Sequence, residues 1–328
     1  MRWLRVRFAA VIAAWLALAC VCSAQPGAAA FPGKPIRFVV GFTPGGPSDI
    51  LARALGQKLA ERWRQQVVID NRPGAGGNLA AEIVAKSSPD GHTWLLGNNS
   101  ILATNQSLYS RLNYDPVKDF APVALVAIQP NILVVNPAVL AQSVPELILF
   151  VKQNPGKLNY ASSGSGAAAH LAGELFKAMA GVDMVHVPYK GAQPALTDVI
   201  SGQVQLMFAT SASVVPYVKA GRLRALAVTT AQRSALMPEL PTMSESGVPG
   251  FEATTWHGVV VPAQTPAVVI DSLNREINNA LKQADLRERL AGLGAEVAGG
   301  TPQEFADYIA REIPKWAKVV RDSGARAE

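Results

Sequence analysis

Residues 36–63 read IRFVVGFTPGGPSDILARALGQKLAERW, and this stretch combines a strand, a glycine loop and a helix. The continuous apolar run 36–42 predicts a strand that is covered on both faces, as in a parallel sheet. From residue 48 onward the apolar side chains recur with the period of an amphipathic helix, at Ile50, Leu51, Ala54, Leu55 and Leu59. A strand that leads into a helix in this way is the first half of a βαβ unit.

The same alternation of strands and helices continues along the chain in two series. The first occupies residues 36–97 and the second residues 123–229, whose last strand, 224–229, is expected to return toward the first series. Residues 268–320 are helical without a sheet of their own, so we expect them to pack on the first series. The prediction is an α/β fold of two parallel-sheet-based lobes, joined by a two-crossing hinge, with the ligand cleft between them. Domain 1 then comprises residues 31–124 and 229–328, and domain 2, inserted into it, residues 125–228.

Length and composition agree with two globular domains and exclude several classes of protein. A chain of 328 residues is long for one core, and 49% apolar with 16% charged residues is typical of a folded protein rather than a disordered one. Without Arg2, Arg5 and Arg7 at the N-terminus, the formal charge falls from +6 to +3. The other Lys and Arg residues are scattered, with no basic run to follow a phosphate backbone, so we expect no nucleic acid as a partner.

The N-terminal residues 1–24 have the pattern of a secretory signal peptide. The three arginines precede an apolar run, residues 8–22, which is shorter than the ~20 residues of a membrane span but suits a signal sequence. Cleavage is expected after Ala24, or as late as Ala30, and gives a periplasmic protein. Two alternatives are an uncleaved N-terminal anchor and a lipoprotein modified at Cys20.

The loop between the first strand and its helix is the first candidate ligand site. Gly45 and Gly46 allow positive φ and a close approach of the backbone, and the free N–H groups at a helix N-terminus attract anions. The alternative is a capped turn, in which Ser48 or Asp49 satisfies those donors itself. The candidate residues here are Phe42, Thr43, Gly45, Gly46, Ser48 and Asp49.

A second glycine loop, residues 162–166, precedes the helix that carries His170. Its hydroxyl groups and glycines at a helix N-terminus again suit a carboxylate. The spacing of Gly164, Gly166 and Ala169 matches a loose dinucleotide pattern, but Asp183 precedes the next strand instead of ending it, so we expect no dinucleotide. The candidates are Ser162, Ser163, Gly164, Ser165, Gly166 and His170, joined by Asn98, Ser100, Tyr189 and Thr210 at the ends of other strands.

Signs of catalysis are few, and we expect no enzyme, no cofactor and no metal. The four histidines show no metal-ligand spacing, and both cysteines, Cys20 and Cys22, lie in the leader. The nucleophile-elbow, phosphate-loop and zinc-helix motifs do not occur. The enzymatic alternative is an α/β hydrolytic or dinucleotide-dependent protein that uses Ser163 or Ser165 with His170.

Nine short motifs appear in order along the chain. They are KPIR (34–37), PGG…D (44–49), NRPGAGG (71–77), PDG (89–91), YDP…DF (114–120), PGKLNY (155–160), HLAGELF (170–176), HVPYKG (186–191) and LRALAVT (223–229). With these motifs the chain resembles the Bug family, the substrate-binding proteins of tripartite tricarboxylate transporters. The resemblance covers the chain from Lys34 to about Val320.

This resemblance implies a type II periplasmic binding protein that closes around a small carboxylated solute. It implies that the carboxylates are held by backbone amides, hydroxyls and waters of the loops, with a large and a small integral-membrane subunit as the permease. After the strand that ends with Met207 and Phe208, several similar relatives have an Asp, whereas this chain has Ala209-Thr210-Ser211. The difference tilts the expectation from amino acids toward dicarboxylates, hydroxy acids or aromatic acids. We expect a monomer, and the alternative within this fold is a ligand sensor for a signalling partner.

Overall fold

The first lobe is built around a mixed sheet of strands that are far apart in the chain. The computed structural model describes residues 31–234 and 237–327, and both of its sheets belong to the unit that begins at Pro35. The strands are β1 Ile36–Val40, β2 Val67–Asn71, β3 Thr93–Asn98, β4 Phe120–Gln129, β10 Thr255–Pro262 and β11 Glu296–Gly299, in the order β11-β4-β10-β3-β1-β2. The helices of this part are α1 Pro47–Trp63, α2 Asn78–Ala85, α3 Asn105–Leu108, α8 Ala267–Leu281, α9 Ala284–Gly292 and α10 Pro302–Ser323.

The second lobe has its own mixed sheet, formed by the middle of the chain. Its strands are β5 Asn131–Val135, β6 Asn159–Ser162, β7 Val185–Pro188, β8 Leu206–Thr210 and β9 Arg224–Val228, in the order β7-β6-β8-β5-β9. Its helices are α4 Val144–Gln153, α5 Ala168–Ala180, α6 Ala192–Ser201 and α7 Ser211–Lys219. Two sheets with helices on their faces form the two-lobed α/β architecture that the sequence predicted.

Both sheets are mixed, so each lobe adds antiparallel strands to the parallel pairs that the sequence predicted. β1 pairs in parallel with β2 and β3, but β10 runs antiparallel between β3 and β4. In the second sheet β6 is parallel to β7 and β8, whereas β5 is antiparallel to β8 and β9. The strand β10 was not predicted, although every one of its residues is buried. β10 enters the first sheet from the hinge side, and it therefore runs antiparallel to β3 and β4.

The strand predicted to return toward the first lobe pairs elsewhere. Residues 224–228 form β9, which lies beside β5 at the edge of the second sheet. The chain returns only later, through residues 229–254, and then forms β10. The C-terminal helix α10 packs on β4 as expected, but it also packs against α5 of the second lobe. The predicted domain boundaries at 124/125 and 228/229 stay a prediction.

The two crossings between the lobes are joined by buried hydrogen bonds. Gln129 ends β4 and Asn131 begins β5, so Pro130 alone makes the first crossing. Asn131 N donates to Thr229 Oγ1 at 3.2 Å, and Thr229 Oγ1 donates to Ala253 O at 2.6 Å. Asn131 Nδ2 reaches Ala253 O at 3.2 Å. One polar cluster therefore connects the outgoing strand to the returning segment at the hinge.

Candidate functional site

The first glycine loop is held by a carboxylate of its own helix. Gly45 has φ +80°, and Gly46 N donates to Thr43 O at 3.3 Å to close the turn. Asp49 Oδ2 accepts hydrogen bonds from Gly45 N and from Arg53 Nε, both at 2.9 Å. The amide of Gly45, which precedes the N-cap residue Gly46, is thus satisfied within the chain, whereas no side chain caps the helix itself.

The Asp49 carboxylate is buried and ionised. Its side chain is enclosed, with only 2% of the residue exposed. Burial by itself raises the pKa of Asp49, but hydrogen bonds from Arg53, Gly45 and Asn71 outweigh it and hold the pKa below its usual range. Arg53 in turn donates to Asn71 Oδ1 at 3.2 Å, and Asn71 Nδ2 donates to Phe42 O at 3.0 Å. Phe42 is therefore fixed through its carbonyl group, beside the loop.

Ser48 makes a buried contact with a strand that sequence reasoning missed. Its Oγ lies 2.9 Å from His257 Nε2 on β10. Complete burial lowers the pKa of His257 to about 4, so the imidazole is neutral near pH 7. His257 lies opposite Asn98 in the antiparallel pairing of β10 with β3. This pairing brings the ends of β1 and β3 to the start of β10.

The loop after β3 contacts the other lobe. Asn98 Oδ1 accepts from Ile101 N, in the π-helical turn Ser100–Thr104, at 3.1 Å. Ser100 Oγ donates to Gly166 O, in the second glycine loop, at 3.1 Å. The intervening Asn99 is completely buried, and neither of its side-chain polar atoms has a hydrogen-bond partner among the described residues. Asn98 and Ser100 were among the predicted site residues, whereas Asn99, in the same polar loop, was not.

The second glycine loop is shaped by two glycines and a serine. Gly164 has φ +138° and Gly166 φ +78°. Ser162 Oγ donates to Gly164 O at 3.0 Å, while Gly164 N donates back to Ser162 Oγ at 3.2 Å. A Cβ on Gly166 would lie 2.1 Å from Leu108 Cδ2 of the first lobe, so only glycine fits there. Ser163 and Ser165 lie half-buried in the same loop.

The imidazoles of His170 and His186 hydrogen-bond to the two ends of this loop. Gly166 N donates to His170 Nδ1 at 2.9 Å, and His186 Nε2 lies 2.6 Å from Ser162 Oγ. Burial lowers the pKa of His170, and burial together with the adjacent His170 lowers the pKa of His186 to about 3. Both rings are therefore neutral near pH 7. His170 Nδ1 accepts a hydrogen bond from the Gly166 amide. In the enzymatic alternative, His170 was expected to act with Ser163 or Ser165 instead.

Next to these imidazole rings, the Tyr160 hydroxyl and the Glu174 carboxylate form a buried hydrogen bond. The Tyr160 ring stacks on His186 with centroids 4.9 Å apart, and its hydroxyl donates to Glu174 Oε1 at 2.5 Å. Lys177 Nζ pairs with the same carboxylate oxygen at 3.1 Å. Burial and the nearby Glu174 raise the pKa of Tyr160 above its usual range. His186 and Glu174 were not among the predicted site residues, although the spacing of Glu174, one helical turn after His170, was a signal for it.

Tyr189 and Thr210 are engaged within the second lobe. Tyr189 Oη donates to Asp198 Oδ2 at 2.6 Å, and burial followed by this carboxylate raises the pKa of Tyr189 to about 12. Thr210 Oγ1 lies 3.1 Å from Ser213 Oγ. Tyr189 follows β7 and Thr210 ends β8, and the hydroxyl groups of both contact their own lobe.

Metal ligation and membrane spanning find no support in the described part of the chain. Across residues 31–234 and 237–327, no group of three or more His, Cys, Asp or Glu side chains is arranged to hold a metal ion. Over the same ranges, no helix combines the length and the apolar character that crossing a membrane requires.

Comparison with known proteins identifies the family. Residues 51–325 match the model described as the tripartite tricarboxylate transporter family receptor, TctC. Protein BugT of Bordetella pertussis is 39% identical over 321 residues, which are 98% of this chain and 98% of BugT.

Two solved structures with bound carboxylates share the fold. The Rhodopseudomonas palustris protein Rpa4515 with adipate is 41% identical, with a TM-score of 0.85 over 90% of this chain and 99% of that one. MatC from the same organism, with bound malate, is 34% identical, with a TM-score of 0.81 over 88% and 100%. The chain has the fold of a type II periplasmic binding protein and belongs to the tripartite tricarboxylate transporter receptor family, the Bug family.

Proposed function

We propose that this protein is an extracytoplasmic receptor that captures a small carboxylate between its lobes and delivers it to a tripartite tricarboxylate transporter. The observation that carries the proposal is the second glycine loop, which lies at the start of α5 and against Ser100 of the other lobe. No side chain caps α5 at its N-cap residue, Ala167, so its first amide groups remain available to an anion.

The chemistry of the candidate residues supports a carboxylate held by neutral donors. The hydroxyl groups of Ser163 and Ser165 and the first amide groups of α5 can donate to carboxylate oxygens. The guanidinium of Arg53 is engaged by Asp49 and Asn71. Hydrogen bonds to a charged partner contribute roughly 1.5–3 kcal/mol each, so four or five, less the costs of ordering, suit micromolar binding.

Export and the membrane partner complete the proposal. The basic and apolar leader, residues 1–24, directs the chain to the periplasm and is removed there, as late as residue 30. The monomeric receptor then closes on the solute and presents it to the large and small membrane subunits. The adipate and malate in the two neighbouring structures support the class of ligand, a small organic acid.

The proposal is tested with the protein expressed with its own leader and purified from the periplasmic fraction. Its melting temperature is measured against succinate, adipate, malate, benzoate and, as a neutral control, glucose. A ligand that binds only the native state raises the melting temperature with its concentration. At least one acid should do so and glucose should not; stabilisation by glucose alone would refute the carboxylate site. Uptake of the binding acid by a deletion strain, which should fall, tests delivery and separates it from sensing.

A further inference from the structure

Leu108 of the first lobe packs directly against the second glycine loop. This residue ends the short helix α3, and only 2% of it is exposed. Its Cδ2 atom lies so close to the loop that it would come within 2.1 Å of a Cβ on Gly166. The position of Leu108 therefore decides how closely the first lobe can approach the loop that precedes α5.

The two ends of α3 are held by different segments of the chain. At its start, Asn105 Nδ2 donates to Gly76 O at 3.2 Å and to Asn78 Oδ1 at 2.5 Å. At its end, Leu108 O accepts a hydrogen bond from Ala327 N at 3.0 Å, in the C-terminal tail, residues 324–327. A helix cannot satisfy its last carbonyl groups internally, so they need an outside partner. The tail supplies that partner at the end of α3 that carries Leu108.

The C-terminal tail is itself ordered by further contacts. Gly324 ends α10 with φ +67° and turns the chain, and Ala327 then forms an isolated parallel β-bridge with Tyr109. Ala325 and Ala327 are partly buried against the apolar core, and so is Tyr109. The hydrogen bond to Leu108 is therefore one of several contacts that keep the tail beside α3.

The helix α10 fixes the place of the tail relative to both lobes. It packs on β4, on the π-helical turn and on α3 in the first lobe, and on α5 in the second. Its buried Glu312 accepts hydrogen bonds from Trp256 Nε1 at 2.9 Å and from Trp316 Nε1 at 2.8 Å. Trp256 lies on β10, the strand that follows the second crossing between the lobes. The helix α10 and its tail thus connect the hinge to the contact between Leu108 and Gly166.

We propose that the C-terminal tail positions Leu108 for closure of the lobes and thereby strengthens solute binding. This inference rests on the proposed function and adds a positioning element to its site. With the tail in place, Leu108 is already ordered when the second glycine loop meets it. Without the tail, the end of α3 frays, and the backbone of Leu108 has to be ordered each time the lobes close. That entropic cost lowers the affinity for the solute.

Two truncated proteins that differ by one residue test the role of the tail. A chain that ends at Arg326 lacks the N–H group that binds Leu108 O, whereas a chain that ends at Ala327 keeps it and is the matched control. Both are titrated calorimetrically beside the wild type with malate, with adipate and with each acid that raises the melting temperature of the wild type. The chain that ends at Arg326 should bind about tenfold more weakly, as the ordering of one backbone residue predicts. The control should bind like the wild type.

A double-mutant cycle shows whether the tail acts through Leu108. The variant Leu108→Ala removes the atoms that reach Gly166 and should itself weaken binding about tenfold. In this variant, ending the chain at Arg326 should change the affinity less than about twofold, because the contact that the tail positions is already lost. Independent, additive losses would mean that the tail stabilises the fold without positioning Leu108, and they would overturn the proposal.

If the chain that ends at Arg326 does not fold, Ala327→Pro removes the same N–H group from the full-length chain and should show the same tenfold loss. Equal affinities of the two truncated chains overturn the role of the tail but leave carboxylate binding intact. If none of these acids binds the wild type, the proposed function itself fails and this inference fails with it.

Discussion

The imidazole rings of His170 and His186 lie face to face, with centroids 3.9 Å apart and planes 11° apart. They come from a helix and a strand of the second lobe, and each contacts one end of the second glycine loop. Two charged rings at this distance would repel each other, so the arrangement depends on neutral imidazoles. The loop that we propose to bind the carboxylate is thus held by a pair of hydrogen-bonding rings.

Replacing His170 by Leu should weaken binding of the preferred acid about tenfold, because Gly166 N loses its acceptor and the loop loses its conformation. His170→Asn keeps an acceptor oxygen near the position of Nδ1 and should retain most of the affinity. Titration calorimetry measures both. An equal loss in the two variants would show that the acceptor atom is not what holds the loop.

Replacing Gly166 by Ala should abolish measurable binding while the protein still folds. The new Cβ would lie 2.1 Å from Leu108 Cδ2, so the lobes could no longer meet at this point. Gly181→Ala is the matched control, since Gly181 also has positive φ, +62°, but nothing lies within 4 Å of its Cβ. Backbone strain should cost each variant about 1–2 kcal/mol in unfolding free energy, measured in urea. Wild-type affinity in Gly166→Ala would move the site away from this loop.

Acidification should destabilise the protein through its buried histidines. A pKa lowered by folding means that the unfolded chain binds more protons, so the unfolding free energy falls as the pH drops below 6.5. His257, with a pKa near 4, alone accounts for about 3 kcal/mol by pH 4.

His257→Gln should make this pH dependence shallower between pH 6.5 and pH 4, leaving the part that His186 contributes, as followed by urea unfolding at a series of pH values. Asp49 also has a lowered pKa, but its contribution is lost only below its ordinary value of 3.8. An equally steep curve in His257→Gln would mean that other groups carry the effect.

Thr229→Val should destabilise the hinge by about 1–3 kcal/mol, because the nearly isosteric side chain leaves Asn131 N without an acceptor and takes a donor from Ala253 O in a buried site. Thr197→Val is the control, since Thr197 is exposed on α6 and its hydroxyl donates to Gln193 O of the same helix. Its unfolding free energy should change by less than about 0.5 kcal/mol. Equal stabilities of the two variants would show that the hinge bonds contribute nothing.

Local signals in the sequence were sufficient for the elements that surround the candidate site. The apolar run of β1, the helical period of α1 and the paired glycines at residues 45–46 act within a few residues, so their outcome was predictable. The two-lobed α/β fold followed from the order of such elements. The sequence also allowed two interpretations of the first loop, a free anion site and a turn capped by Ser48 or Asp49.

Other features depended on partners far away in the chain. The buried strand β10 has no polar alternation to mark it, and its antiparallel place between β3 and β4 follows from where the chain returns after the second lobe. The same applies to β9, because its own residues do not indicate which of the two sheets it joins.

What the sequence determined by itself, therefore, is the succession of strands, helices and glycine turns, because short-range sterics and periodicity set them. The tertiary structure alone decided which strands pair, that His170 stacks on His186, and that Asn99 is enclosed without a partner among the described residues. Those outcomes arise from competition among distant segments for the same buried surface, and no window of adjacent residues contains that information.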